Sequence, residues 1–273
     1  MDGRHGLMVE TLACTDLGSG PPLVILHGLF GSARNWAAVA KRLAAARRVL
    51  ALDLRNHGAS PWTPGMDYPD MAQDVARFVA SRELGPVEVI GHSMGGKVAM
   101  CLALAEPALV RRLIVVDIAP MAYDHAFAAP YAEAMLAIDL ARHDTRRAVD
   151  RELARSLPDP VLRGFLMTNL VRAGAGASGG GGLRWGMNLE AIVRNGDALM
   201  DFPETAARYG GPALFIGGAR SDYLGADAEA VVRRYFPAAG IARIAEAGHW
   251  VHAEAPEAFL GTVAAFLDLD LSR

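Results

Sequence analysis

"VEVIGHSMGGKVAM", residues 87–100, decides the fold. Val87 to Ile90 have strand-forming character, and the run from Met94 has the composition of a helix. Between them Ser93 sits among Gly91, Gly95 and Gly96. Ordered glycine is entropically costly, so three so close together point to a backbone that needs positive φ or close approach by a neighbour. A GxSxG between a strand and a helix is the nucleophile elbow, in which a sharp turn lifts the serine hydroxyl above the carboxyl edge of a sheet. Ser93 is therefore the candidate nucleophile.

Outward from this stretch the chain alternates strands and helices, the pattern of βα units building a mainly parallel sheet. Strands are expected at 22–28, 47–54, 87–93, 111–118 and 212–218, with a short one near 240–248. Helices are expected at 35–45, 69–84, 94–106, 226–236 and 256–269. From 119 to 209 the alternation stops, helical periodicity dominates, and no strand is expected. The fold class is α/β, with a core from 1–118 and 210–273 and a helical cap over 119–209. Within the cap, "GAGASGGGG" (174–182) reads as a flexible loop. It also holds a second GxSxG, at Gly176, Ser178 and Gly180, which has no strand or helix beside it and is compositional.

The 273 residues are 52% hydrophobic and 21% charged with a net charge of −3, which fits a globular protein and gives no general attraction to nucleic acid. Two cysteines, Cys14 and Cys101, are too few for a disulfide framework and suit a reducing compartment. "MDGRHGLMVETLAC" lacks the pattern of a secretory signal, and no apolar run reaches the roughly 18 residues of a membrane span. A soluble cytoplasmic protein is expected. With no HExxH, CxxC pair or Walker loop, neither a metal nor an organic cofactor is called for.

A serine hydroxyl needs a base. Of eight histidines, His249 in "AGHWVHAEAPEAF" follows the last expected strand and so reaches the sheet edge that carries the elbow. His252, nearer the helix start, is assigned an exposed or capping role. His27, in "LHGLFGS", shapes a turn, and the N–H groups of Leu29 and Met94 are the candidate oxyanion donors. The base needs a carboxylate, and strand-end position leaves both Asp117 and Asp222 open. Asp53, also at a strand end, is read as a turn residue. Phe30, Met94, Met121, Tyr123, Trp185, Met187 and Trp250 are candidates for an apolar acyl pocket. Arg142, Arg146, Arg147, Arg151 and Arg155 read as a solvated helix face rather than a coenzyme A phosphate site.

Together "LHGLFGSARNW", "DLRNHGASPW", "GHSMGGKVAM", "VVDIAP", "LRWGMNLEAI" and "AGHWVHAEAPEAF" resemble the α/β-hydrolase superfamily and, within it, the YbfF and ABHD11 group of serine esterases. The resemblance runs from about Leu7 to the end of the chain. It implies an α/β-hydrolase fold and hydrolysis of carboxylic esters through an acyl-enzyme, with short acyl groups preferred and acyl-CoA thioesters as an alternative. It also favours Asp117 as the acid, with Ser221 joining its hydrogen bonds. The fold supports rival chemistries too: cofactor-free perhydrolase or haloperoxidase activity, or a small-ligand receptor with little turnover. A dehalogenase would require aspartate at position 93.

Overall fold

The computed structural model describes residues 11–123, 128–172 and 182–271. A seven-stranded sheet forms its centre, with strands β1 (Cys14–Leu17), β2 (Pro22–Leu26), β3 (Arg48–Leu52), β4 (Val87–His92), β5 (Val110–Val116), β8 (Ala213–Gly218) and β9 (Gly240–Ile244) in the order β1-β3-β2-β4-β5-β8-β9. The pairs from β3 to β9 are parallel, and only β1 runs antiparallel, at the β3 edge. The chain moves outward from β2 to β3 and then returns across β2 to β4. Such a switch opens a crevice beyond the carboxyl ends of β2 and β4, where ligands bind in open α/β sheets.

Side chains along the strands alternate between two buried faces. Leu23, Ile25, Val49, Ile90, Ile114 and Val116 meet α1 (Ala37–Leu43) and α11 (Pro256–Leu267) on one side. Val24, Leu26, Leu50, Val89, Leu113 and Val115 pack on the other with α2 (Tyr68–Ser81), α3 (Met94–Ala105) and α9 (Ala226–Tyr235). Burial on both faces explains why the strands read as continuous apolar runs.

β5 and β8 are direct neighbours in the sheet, and the segment between them leaves from one and returns to the other. It contains α4 (Ala128–Leu136), α5 (Arg146–Leu153), α6 (Pro160–Leu166), α7 (Leu189–Arg194) and α8 (Gly196–Met200). Thr145, Asp159 and Asn188 cap α5, α6 and α7, each accepting a backbone N–H of the first turn. The expectation that this segment lacks strands is corrected. β6 (Leu170–Arg172) and β7 (Leu183–Trp185) form an antiparallel ribbon, each strand too short to show a periodicity. Apart from Gly182, the glycine-rich tract lies outside the described residues, as does the second GxSxG. The short helix α10 (Val251–Glu254) precedes α11. No helix among the described residues is long and apolar enough to cross a membrane.

Candidate active site

Ser93 joins β4 to α3 at the switch crevice, with φ 51° and ψ −118°. The strained backbone therefore falls on the serine itself. Its N–H donates to the Val116 carbonyl (3.0 Å), which ties the elbow to β5. The neighbouring glycines serve close approach instead. A Cβ on Gly91 would stand 2.2 Å from the Gly95 carbonyl oxygen, and one on Gly95 would stand 2.4 Å from that of Leu26 in β2. The elbow thus fits only because helix, strand and turn lack side chains where they touch.

His249 follows β9 and reaches the same edge, where it lines one cleft with Ser93. Its Nδ1 lies 2.7 Å from Asp117 Oδ2. A carboxylate opposite Nδ1 fixes the proton there and leaves Nε2 as the acceptor nitrogen. Asp117 follows β5 with φ 52° and is fully buried. Its Oδ1 accepts the Gly218 N–H (2.9 Å), and its Oδ2 also accepts the Ser221 hydroxyl (2.5 Å). Each oxygen of this buried charge is thus satisfied. Asp222 is exposed and lines a surface recess with Ser221 and His249, but no hydrogen bond joins it to His249 among the described residues.

His92 supports His249 through its backbone. Its Nε2–H donates to the His249 carbonyl (2.9 Å), and burial holds its pKa well below the usual histidine value. His252 is neither exposed nor a cap. It is buried in α10 and stacks on Trp36 with ring centres 4.1 Å apart, because the one-turn helix points it inward. Burial, then repulsion from His249, lowers its pKa to about 3.

The segment after β2 supplies Leu29, whose N–H has no acceptor among the described residues. Met94 opens α3, so its N–H belongs to the helix end that lacks intrahelical acceptors. Phe30 follows with φ 60°. Its N–H donates to His57 Nε2 (3.3 Å), and its carbonyl accepts Asn169 Nδ2 from the segment between β5 and β8 (2.7 Å). His27 donates through Nδ1 to the Gly28 carbonyl and accepts the Leu54 N–H at Nε2. Burial lowers its pKa to about 4 and that of His57 to about 3, so both stay neutral. Asp53 accepts the N–H groups of Ala33 and Ala59 and orders two turns.

Two spaces flank Ser93. One is an open cleft of about 340 Å³, lined by Phe30, Tyr131, Leu162, Phe165, Tyr223 and Trp250 as well as His249. The other is a small cavity of about 20 Å³ among Leu29, Met94, Ile118, Tyr123, Leu199 and Lys97. Lys97 is buried, one helical turn beyond Ser93, and donates to the Met200 and Asp201 carbonyls (2.9 and 2.6 Å). Burial pulls its pKa down to about 7.

Of the residues expected around an acyl pocket, Phe30 and Trp250 line the cleft, and Met94 and Tyr123 line the small cavity. Met121, Trp185 and Met187 line neither. Trp185 donates its indole N–H to the Met135 carbonyl of α4, and Met187 bridges to the backbone of His57. Arg146 donates to the Met167 and Leu170 carbonyls, whereas Arg142, Arg147, Arg151 and Arg155 are exposed. The sequence reading missed Tyr223, whose ring lies 4.3 Å from that of His249, and Lys97 and Asn169. Lys97 had one legible sign, a lone charge one turn past Ser93 on an apolar helix. Among the described residues no cluster of histidine, cysteine or acidic side chains suits a metal ion.

Residues 23–262 match the model of the Alpha/beta hydrolase family. The chain is 42% identical over 256 residues to a Xenopus tropicalis protein named sn-1-specific diacylglycerol lipase ABHD11, covering 91% of this chain and 78% of that protein. It is 32% identical over 252 residues to Esterase YbfF of Escherichia coli K12, covering 90% and 93% respectively. Among solved structures, one titled "Marine microorganism esterase" superimposes with a TM-score of 0.89 at 37% identity, covering 94% of this chain and 99% of that one.

Proposed function

The chain belongs to the Alpha/beta hydrolase family, and from that premise we propose that it hydrolyses carboxylic esters with Ser93 as nucleophile, His249 as base and Asp117 as the acid behind it. The observation that carries the assignment is the 2.7 Å contact between His249 Nδ1 and the buried Asp117 carboxylate, at the sheet edge where Ser93 is presented. His249 Nε2 takes the proton of Ser93 Oγ as it attacks the ester carbonyl, and the imidazolium then protonates the departing alcohol. Charge on the tetrahedral oxygen rests on the N–H groups of Leu29 and Met94. Water repeats the sequence on the acyl-enzyme. Asp117 steadies the imidazolium, and Ser221 helps hold Asp117. Two free cysteines fit work in a reducing, cytoplasmic setting.

The unequal spaces beside Ser93 support a division of the substrate. The small cavity, roomy enough for about one water or methyl group, takes a short acyl chain. The apolar cleft takes the alcohol portion. Fluorophosphonate labelling together with cleavage of p-nitrophenyl esters of two to twelve carbons, with one acyl-CoA included, tests both parts. We expect labelling and cleavage in the wild type, loss of both in Ser93→Ala, and rates that fall at least tenfold from acetate or butyrate to dodecanoate. Absence of labelling and cleavage in folded wild-type protein would refute the hydrolase assignment. Faster turnover of the dodecanoate would refute the short-acyl preference.

A further inference from the structure

Phe30 occupies the left-handed region, which a residue with a bulky side chain does not hold unaided. It immediately follows Leu29, so any relaxation of Phe30 rotates the backbone that presents the Leu29 N–H. What holds Phe30 comes largely from the cap. Asn169 is buried (7% exposed) and donates from Nδ2 both to the Phe30 carbonyl (2.7 Å) and to that of Leu166 (3.2 Å). Two carbonyl partners leave no doubt which amide atom is the nitrogen.

Asn169 is itself fixed from two sides. Its carbonyl accepts the Gly186 N–H (2.8 Å), and Arg146 binds the flanking carbonyls of Met167 and Leu170. A second route reaches the same residue. The Phe30 N–H donates to His57, whose neighbour Asn56 accepts the Asn188 N–H (2.9 Å) through its carbonyl and Asn188 Nδ2 (3.0 Å) through its side chain. Asn169 and Asn188 lie just before β6 and just after β7, so the ribbon of the cap grips the segment at both its carbonyl and, through His57, its N–H.

We propose that Asn169 is a positioning residue for the oxyanion hole: by fixing Phe30 from the cap it sets the Leu29 N–H, so that the hole is complete only while the cap ribbon is docked. This rests on the assignment of Leu29 as an oxyanion donor. Asn169 touches no reacting atom. Its effect should therefore appear in the transition state and leave substrate binding almost alone.

The test uses full-length Asn169→Leu and Asn169→Asp, both close to asparagine in shape; leucine carries no donor, and an aspartate has none for Phe30 while it is ionised, so its kinetics are read at alkaline pH. Steady-state kinetics on p-nitrophenyl butyrate is paired with inhibition by a trifluoromethyl ketone, which adds Ser93 and places an oxyanion in the hole. Removing an oxyanion donor outright costs about 100- to 1,000-fold in kcat, and misplacing one should cost about 10- to 100-fold. We expect kcat to fall by that amount with KM within about threefold, and the inhibitor to weaken in proportion to kcat. A merely structural role would lower the melting temperature and the amount of active enzyme, measured by fluorophosphonate titration, without changing kcat per titrated site or inhibitor affinity. That result overturns the inference. If Asn169→Leu does not fold, Asn169→Asp carries the same readouts. Butyrate cleavage surviving in Ser93→Ala would overturn the esterase assignment itself, a failure distinct from an unchanged kcat in a Ser93-dependent enzyme.

Discussion

At the scale of single residues, the two candidate acids make the sharpest contrast. Asp117 is buried with every oxygen engaged, and its Oδ2 faces His249 Nδ1. Asp222 stands in solvent only four positions along the chain from Asp117's partner Gly218. Asp117→Asn would present an amide to the ring and favour the wrong tautomer, as in serine proteases, where such a change costs about 10⁴-fold. We expect kcat to fall about 10³-fold or more, while Asp222→Asn stays near wild type; p-nitrophenyl butyrate kinetics on both variants gives the ranking. Sequence position alone could not separate them, because both follow strands whose ends meet at one edge. What separates them is which side chain the turn directs inward, and that depends on packing. Ser93 and His249 were legible because strand, elbow and chain order mark them locally. Asn169 was not, since its partner lies at position 30 and nothing nearby in sequence signals the contact.

At the scale of elements, the glycines of the elbow report on contact between β2, β4 and α3. Gly95→Ala would place a methyl carbon 2.4 Å from the Leu26 carbonyl oxygen and 2.5 Å from that of His27. Backbone there has nowhere to go, so the melting temperature and kcat should both fall, the latter through displacement of Ser93. Gly164, inside α6, has open space where a methyl group would stand, with nothing within 4 Å. Gly164→Ala should raise stability by about 0.5–1 kcal/mol, the usual gain of alanine over glycine in a helix interior. Urea denaturation of the two variants checks the opposite signs. Most parallel strands were readable from sequence because burial on both faces gives them unbroken apolar runs. β1 was missed, since "CTDL" is a partly exposed edge strand with little apolar signal. β6 and β7 are three residues each, shorter than any pattern of period two can reveal.

For the molecule as a whole, buried neutral histidines set the acid limit. His27 keeps its proton off until about pH 4, and His57 and His252 until about pH 3. In the unfolded chain each takes a proton near pH 6.5. Unfolding is therefore coupled to proton uptake, and stability falls as pH drops from 6.5 toward 3. The His27 shift alone is worth about 3 kcal/mol, against roughly 5–15 kcal/mol for a typical domain. Calorimetry from pH 7 to 4 should show a steadily falling melting temperature, and a flat profile would contradict the buried, neutral state of these rings. The direct pairing of β5 with β8 has a consequence for protein engineering. Because the cap departs from one strand and rejoins its immediate neighbour, a foreign cap needs to match only two adjacent anchor points to be grafted onto this core. Such a chimaera would inherit Ser93, His249 and Asp117 from the host, and on the proposed role of Asn169 we expect full turnover only if the donor also brings a group able to take its place over Phe30.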